Sequence, residues 1–389
     1  MNSTKVSKRI LALDILRGVT IAGMIMVNNP GSWGHIYAPL RHAEWNGLTP
    51  TDLVFPFFMF IMGISTYISL KKYNFEFSHA AGMKILKRTI VIFLIGMAIG
   101  WFSRFCYYWA SAPDDLSFGE KLWASVWTFD RIRILGVMQR LALCYGAASI
   151  IALTMKHKHI PYLIAGLLTG YFILLMCGNG FAYNETNILS VVDRAILTPA
   201  HMYKDNGIDP EGLLSTIPAI AHVLLGFCVG RLMLDGNKSE DRASFLNSQL
   251  ITLLLVGVIL TFSGFLLSYG CPINKKIWSP TYVLVTCGLA SSFLALLIWI
   301  IDVKGYKKWS MFFEAFGVNP LFMYVLGGVI SILFTWGNSS ISIHGFLYNI
   351  VLMPVFGETA GSLAFALLFI AINWCIGYQL YKRKIYIKI

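Results

Sequence analysis

Charge is scarce in this chain. Asp, Glu, Lys and Arg make up 13% of 389 residues, against about a quarter in an ordinary soluble domain, and mean hydropathy is +0.66. A solvated globular surface is excluded. Phosphate-cradling glycine patterns are missing as well: neither G-x-x-x-x-G-K-[ST] nor G-x-G-x-x-G occurs, which leaves no basis for nucleotide hydrolysis or a dinucleotide fold. The seven cysteines form no C-x-x-C pair and no zinc spacing, so no metal is expected. Four of them fall inside apolar runs, where cysteine acts as a small hydrophobe. Cys106, Cys177 and Cys271 sit near run ends, and one disulfide among them stays open. No internal repeat relates two halves of the chain, unlike many secondary transporters.

Long apolar runs fill the rest. Each needs about 20 residues to cross roughly 30 Å of hydrocarbon, and ten qualify: 10–28, 52–70, 88–108, 134–154, 160–177, 213–233, 250–269, 280–301, 317–336 and 359–381. A shorter piece, 346–356, ends near Pro354 and reads as re-entrant or interfacial. The first run is no cleaved signal peptide, because Asp14 and Arg17 interrupt it. The expected fold is an all-α polytopic membrane protein, one integral domain over residues 1–389 with outer loops 29–51, 109–133 and 178–212.

Lys and Arg give the orientation. With the N-terminus inside, twenty of the 31 fall on the inner side and nine on the outer, while Arg17 and Arg140 lie within spans. Both termini are therefore expected in the cytoplasm. The net charge of +12 is spread through short loops, so it fits anionic lipid headgroups rather than nucleic acid.

Ionisable groups inside spans are functional candidates. Asp14 and Arg17 are spaced i, i+3 on one face. They are either a self-satisfied pair that lets the helix insert or an anion-binding arginine oriented by its acid. Gln139 and Arg140 are expected deep in the fourth span, with no acid on their own helix; a partner helix, a cavity or a ligand must meet the arginine. Asp209-Pro210-Glu211 reads as an N-cap, an N1 proline and a first-turn acid opening the sixth span. Glu211 is also placed to hold an ammonium from outside. His222, three turns further on, reads as a hydrogen-bonded bundle histidine.

The stretch RHAEWNGLTPTDLVFPFF, residues 41–58, is unusual beside such runs. Thr49 as N-cap, Pro50 as N1 and Asp52 as N3 account for a helix start. His42 has no such role. It stands in an outer loop with Trp33, Trp45 and Gly47 that is expected to fold over the bundle. Should the turn return Asp52 to His42, the pair forms a base for deprotonating a weak nucleophile.

The run LALDILRGVTIAGMIMVNNPG…RHAEWNGLTPTDLVFPFFMFIMG resembles the heparan-α-glucosaminide N-acetyltransferases and their bacterial relatives. The likeness continues through ILGVMQRLALCY, DPEGLLSTIPAIAHVLLGFCVG, NKKIWSPTYVLVTCG and FEAFGVNPLFMYV. The resemblance implies a transmembrane acyltransferase fold that passes acetyl from cytosolic acetyl-CoA to a glucosamine amine across the membrane. It sets the catalytic histidine on His42, as general base or acetyl carrier, the family aspartate on Asp52, and a thioester-binding asparagine on Asn28. From depth and charge, Arg17 and Arg140, with Asp14 and Gln139 beside them, are the expected acetyl-CoA contacts. Trp45, Asn46, Asp209 and Glu211 are the expected acceptor contacts. A homodimer is allowed by the resemblance alone. The first family span is met at once in this sequence, so a counterpart of the N-terminal luminal region of the animal enzymes is not expected. A bacterial inner-membrane protein with a periplasmic amino-sugar or glycan acceptor is thus expected. Two other classes remain open: an O-acetyltransferase of an envelope polysaccharide, and a secondary transporter.

Overall fold

A chain in hydrocarbon must satisfy its backbone internally, and helices do so within one segment. The computed structural model describes residues 10–387 except 114, 204, 236–241 and 338–341, and these form helices and turns with no strand. Residues 236–241, and the basic residues Lys5, Lys8, Arg9, Lys204 and Lys388, lie outside the described residues.

Among the described residues fourteen helices follow one another: α1 Leu11–Asn28, α2 Val54–Leu70, α3 His79–Ser111, α4 Phe118–Val126, α5 Val137–Thr154, α6 Ile160–Cys177, α7 Ile188–Ile196, α8 Thr216–Asp235, α9 Arg242–Leu267, α10 Pro280–Ile298, α11 Met311–Gly317, α12 Pro320–Thr335, α13 Ile343–Phe356 and α14 Glu358–Lys382. Among the same residues nine spans are long and apolar enough to cross a membrane, and ten if the bent α11–α12 pair counts as one. This is a multi-pass membrane protein. Helices α1, α2, α5, α8 and α10 form the buried centre, whereas α3, α6 and α9 expose most of their apolar surface outward.

The centre is held by backbone contact. A Cβ on Gly63 would collide with the Val223 carbonyl, and one on Gly226 with the Phe60 carbonyl. Only glycine at both positions lets α2 and α8 cross this closely, and the same close approach is common between membrane helices.

Three expectations change. The ninth span is not straight: α11 and α12 meet at a 74° bend. Pro320 opens α12, and the residue before a proline is driven out of the helical region; Asn319 sits at φ −127°, ψ 57°. The fourth span begins at Val137 rather than 134, so Gln139 and Arg140 occupy its first turn instead of lying deep. The sixth begins at Thr216 rather than 213, and Asp209 does not cap it. All seven cysteines are free, Cys106, Cys177 and Cys271 included.

Candidate active site

The loop after α1 folds across the outer end of the bundle and is tied down at several points. Gly47, at a φ of +119° that favours glycine, donates its N–H to the Ile273 carbonyl at 2.8 Å. Trp45 donates its indole N–H to the Phe181 carbonyl at 3.0 Å and stacks on Tyr183 with ring centroids 4.5 Å apart. Asn46 accepts from the Asn274 amide at 3.1 Å. The segment that carries His42 is thereby fixed to the loops before α7 and before α10.

Asp52 lies in the short turn Pro50–Leu53 that leads into α2. Its Oδ2 accepts the backbone N–H groups of Ala43 and Thr49, both at 3.1 Å, and the Thr49 hydroxyl at 2.9 Å. Its Oδ1 faces His42 Nδ1 at 2.6 Å. The helix-start and base-orienting readings of Asp52 are thus both served, one by each oxygen. An ionised Asp52 makes Nδ1 the donor and leaves the lone pair on Nε2. The His42 side chain is 41% exposed and that of Asp52 is 1% exposed: solutes reach the ring but not the carboxylate.

Sequence reasoning missed the third member of the group. Lys275, on the segment before α10, brings Nζ to 3.0 Å from His42 Nδ1 and 3.4 Å from Nε2. It also stands 3.5 Å from Asp52 Oδ1. Burial holds the Lys275 ammonium below the usual lysine pKa, although Asp52 and Glu211 pull the other way. The available signal was topological. Arg133, Lys275 and Lys276 are cations on the side that the positive-inside rule depletes.

His42 and Lys275 line a cavity of about 470 Å³ that also takes in Asn28, Glu44, Tyr203, Asp205 and Glu211. Arg133 spans Asp209 and Glu211, with its Nη2 at 2.5 Å from each, and lies over the Tyr203 ring. Asp209 also accepts the N–H groups of Tyr203 and Glu211. It is therefore an ion-pair partner rather than a helix cap, because Arg133 and the 203–211 turn use its oxygens. Burial would raise the Glu211 pKa, but Arg133 and Arg140 bring it below the ordinary carboxylate value. Burial lowers Arg133 proton affinity, yet the two carboxylates hold it above the usual arginine value. Lys276 pairs with Asp205 at 2.7 Å and donates to Tyr183.

A second cavity of about 260 Å³ lies between α1, α3 and α12, and its lining shares Met24, Asn28 and Tyr324 with the first. Asn28, the last residue of α1, stands where the two meet.

The other expected residues lie elsewhere. Arg17 binds Asp14 and the Ser65 hydroxyl, each at 2.7 Å. Arg140 is buried, donates to the Gly212 carbonyl at 3.2 Å and to the Ser215 hydroxyl, and lies over the Trp278 ring. Gln139 packs against Gly96 of α3. None of these four lines either cavity. His222 is buried, with Nε2 at 2.9 Å from the Pro56 carbonyl, as a bundle histidine would be.

Comparison with known proteins bears on this arrangement. Residues 9–257 match the family model described as heparan-alpha-glucosaminide N-acetyltransferase, catalytic. The human heparan-alpha-glucosaminide N-acetyltransferase is 28% identical over 374 residues, which cover 82% of this chain and 52% of that protein. The mouse protein of the same name is 26% identical over 376 residues, 82% of this chain and 53% of its own. The chain thus spans about half the length of these curated relatives. With well over half of its own length inside the family match, the chain belongs to the heparan-alpha-glucosaminide N-acetyltransferase family.

Proposed function

We propose that this protein transfers an acetyl group from cytosolic acetyl-CoA to the amine of a terminal or free glucosamine on the outer side of a bacterial inner membrane. Both termini face the cytoplasm in this reading. The observation that carries it is the His42–Asp52 pair: a reachable imidazole, oriented by a buried carboxylate, on the wall of a cavity large enough for a sugar.

The chemistry follows from that pair. A glucosamine amine is largely protonated at neutral pH and must lose a proton to attack. His42 Nε2 takes the proton, and Asp52 holds the ring and stabilises the imidazolium. The amine nitrogen then bonds to the thioester carbonyl carbon, and Asn28 donates a hydrogen bond to the oxygen as charge builds there. The C–S bond breaks, the proton held by His42 passes to the departing sulfur, and CoA leaves as the free thiol; the freed Nε2 then takes the second proton that the new amide nitrogen sheds and releases it to water. If His42 instead carries the acetyl group, the same nitrogen attacks first and the amine attacks second.

The second cavity supports a route for the pantetheine arm, because it meets the first at Asn28. The lining carries three carboxylates, Glu44, Asp205 and Glu211, and three cations, Arg133, Lys275 and Lys276. Lys276 engages Asp205 and Arg133 engages Glu211. The carboxylate that supports an amine acceptor is therefore the exposed Glu44, on the loop of His42.

The test is acetyl transfer by the purified protein in liposomes, with labelled acetyl-CoA and glucosamine, for wild type and His42→Ala. Labelled N-acetylglucosamine from the wild type alone is the expected result. Transfer to a hydroxyl-only glycan, with none to glucosamine, would move the assignment to O-acetylation. Absence of acetyl-CoA binding would remove both.

A further inference from the structure

His42 carries two oppositely charged neighbours rather than the single carboxylate of a simple dyad. Asp52 favours a protonated ring. Lys275 Nζ, 3.0 Å and 3.4 Å from the two ring nitrogens, opposes one. The ammonium is near the same Asp52 oxygen that faces the ring, at 3.5 Å. Two donors, the ring N–H of His42 and the Lys275 ammonium, thus compete for one oxygen, since Oδ2 is already filled by Ala43 and Thr49.

We propose that Lys275 is a positioning residue that keeps His42 free to accept a proton in the resting state, by supplying the positive charge that Asp52 would otherwise draw onto the ring. This rests on the acetyltransferase reading of the same site. The remaining charged groups around the cavity do not replace it. Arg133 is engaged by Asp209 and Glu211, and Lys276 by Asp205. Glu44, on the loop of His42 itself, also lines the cavity and adds to the pull of Asp52. Burial lowers the proton affinity of Lys275 while Asp52 and Glu211 oppose that, consistent with a cation held there by the acids around it.

An ammonium within about 4 Å contributes on the order of one pH unit to a neighbour's titration even at the dielectric of water. Removing Lys275 should therefore move the acid limb of kcat/KM upward by about one unit. A second readout needs no turnover: the pH dependence of His42 carbethoxylation by diethylpyrocarbonate, followed by mass spectrometry of the full chain in detergent. Lys275→Met is expected to raise both midpoints by about one unit, while Lys275→Arg, which keeps the charge, leaves them near wild type. If Lys275→Met does not elute as a folded species, Lys275→Gln takes its place. Slower turnover with unmoved midpoints would mean a structural role and overturns the proposal. A carbethoxylation midpoint shifted by Lys275→Met, where the wild type itself transfers no acetyl, would sustain the Lys275–His42 coupling and reject the acetyltransferase reading instead.

Discussion

Asp52→Asn tests the dyad most directly, because its geometry leaves the amide no good orientation. In one, the amide oxygen takes the Oδ2 place and keeps the Ala43 and Thr49 donors. The NH₂ then faces His42 Nδ1, which has to become the acceptor, so the proton moves to Nε2 and the base is lost. In the other, the NH₂ meets two backbone N–H groups and a hydroxyl, and Ala43 and Thr49 lose their acceptor. Either way Lys275 also loses its counter-charge. A comparable aspartate-to-asparagine change in a catalytic triad costs about 10⁴ in kcat, or roughly 5.5 kcal/mol of transition-state stabilisation. We expect a loss of about 10³ to 10⁴ in kcat, with acetyl-CoA binding little changed because Asp52 lies below the cavity wall. Initial rates of labelled acetyl transfer, together with acetyl-CoA binding to the same preparation, measure both. A D52N protein whose kcat stays within about tenfold of wild type, far short of the triad precedent, would refute the orienting role.

Two further predictions concern buried charges near the site. Arg133→Met leaves Asp209 and Glu211 buried without their cation, and breaking such a pair typically costs about 3–5 kcal/mol; the melting temperature in detergent should fall by several degrees and recover in part when Asp209→Asn and Glu211→Gln are added. No fall would mean that the pair contributes nothing to the fold. Asp193, on α7, is fully buried and accepts the Leu213 N–H at 2.8 Å; burial pushes its carboxyl up from 3.8 to about 6. The folded state therefore holds this proton more tightly than the unfolded one, so the group's contribution is most favourable below about pH 4, declines as pH rises to about 6, and stays unfavourable above that. Asp193→Asn should stabilise the protein more at about pH 7.5 than at about pH 5, by roughly 1–2 kcal/mol, read as a larger rise in melting temperature; an equal change at both would sink the argument.

The membrane spans were legible because hydrocarbon demands long apolar helices, and little else in a sequence produces them. His42 and Asp52 were legible together because only ten residues and one turn separate them. Other parts were hidden for physical reasons. Lys275 reaches the site from 233 residues away in the chain, and no local pattern encodes that approach. Asp209-Pro210 has the form of a helix start, yet Arg133 outcompetes the helix for the carboxylate. Arg140 read as deep because residues 134–136 are uncharged, although they run as turns before α5. The break before α12 had a local signal in Asn319-Pro320, which apolar averaging over the whole run conceals.

The α2–α8 crossing has a consequence for how such a protein changes over time. Asp52 is set just ahead of α2, and α2 is pinned to α8 where Gly63 and Gly226 let main chain rest on main chain. That anchor has no side chain to resize, so small substitutions elsewhere leave the depth of the carboxylate unchanged. The opposite wall of the cavity comes from connecting segments, those of Arg133, Asp205, Glu211 and Lys276, which surround the mouth and bear little of the bundle's weight. On the acetyltransferase reading, the pair that activates the nucleophile and the surface that selects it are separable inheritances. New acceptors would then be reached by redrawing the outer segments while His42 and Asp52 stay in register.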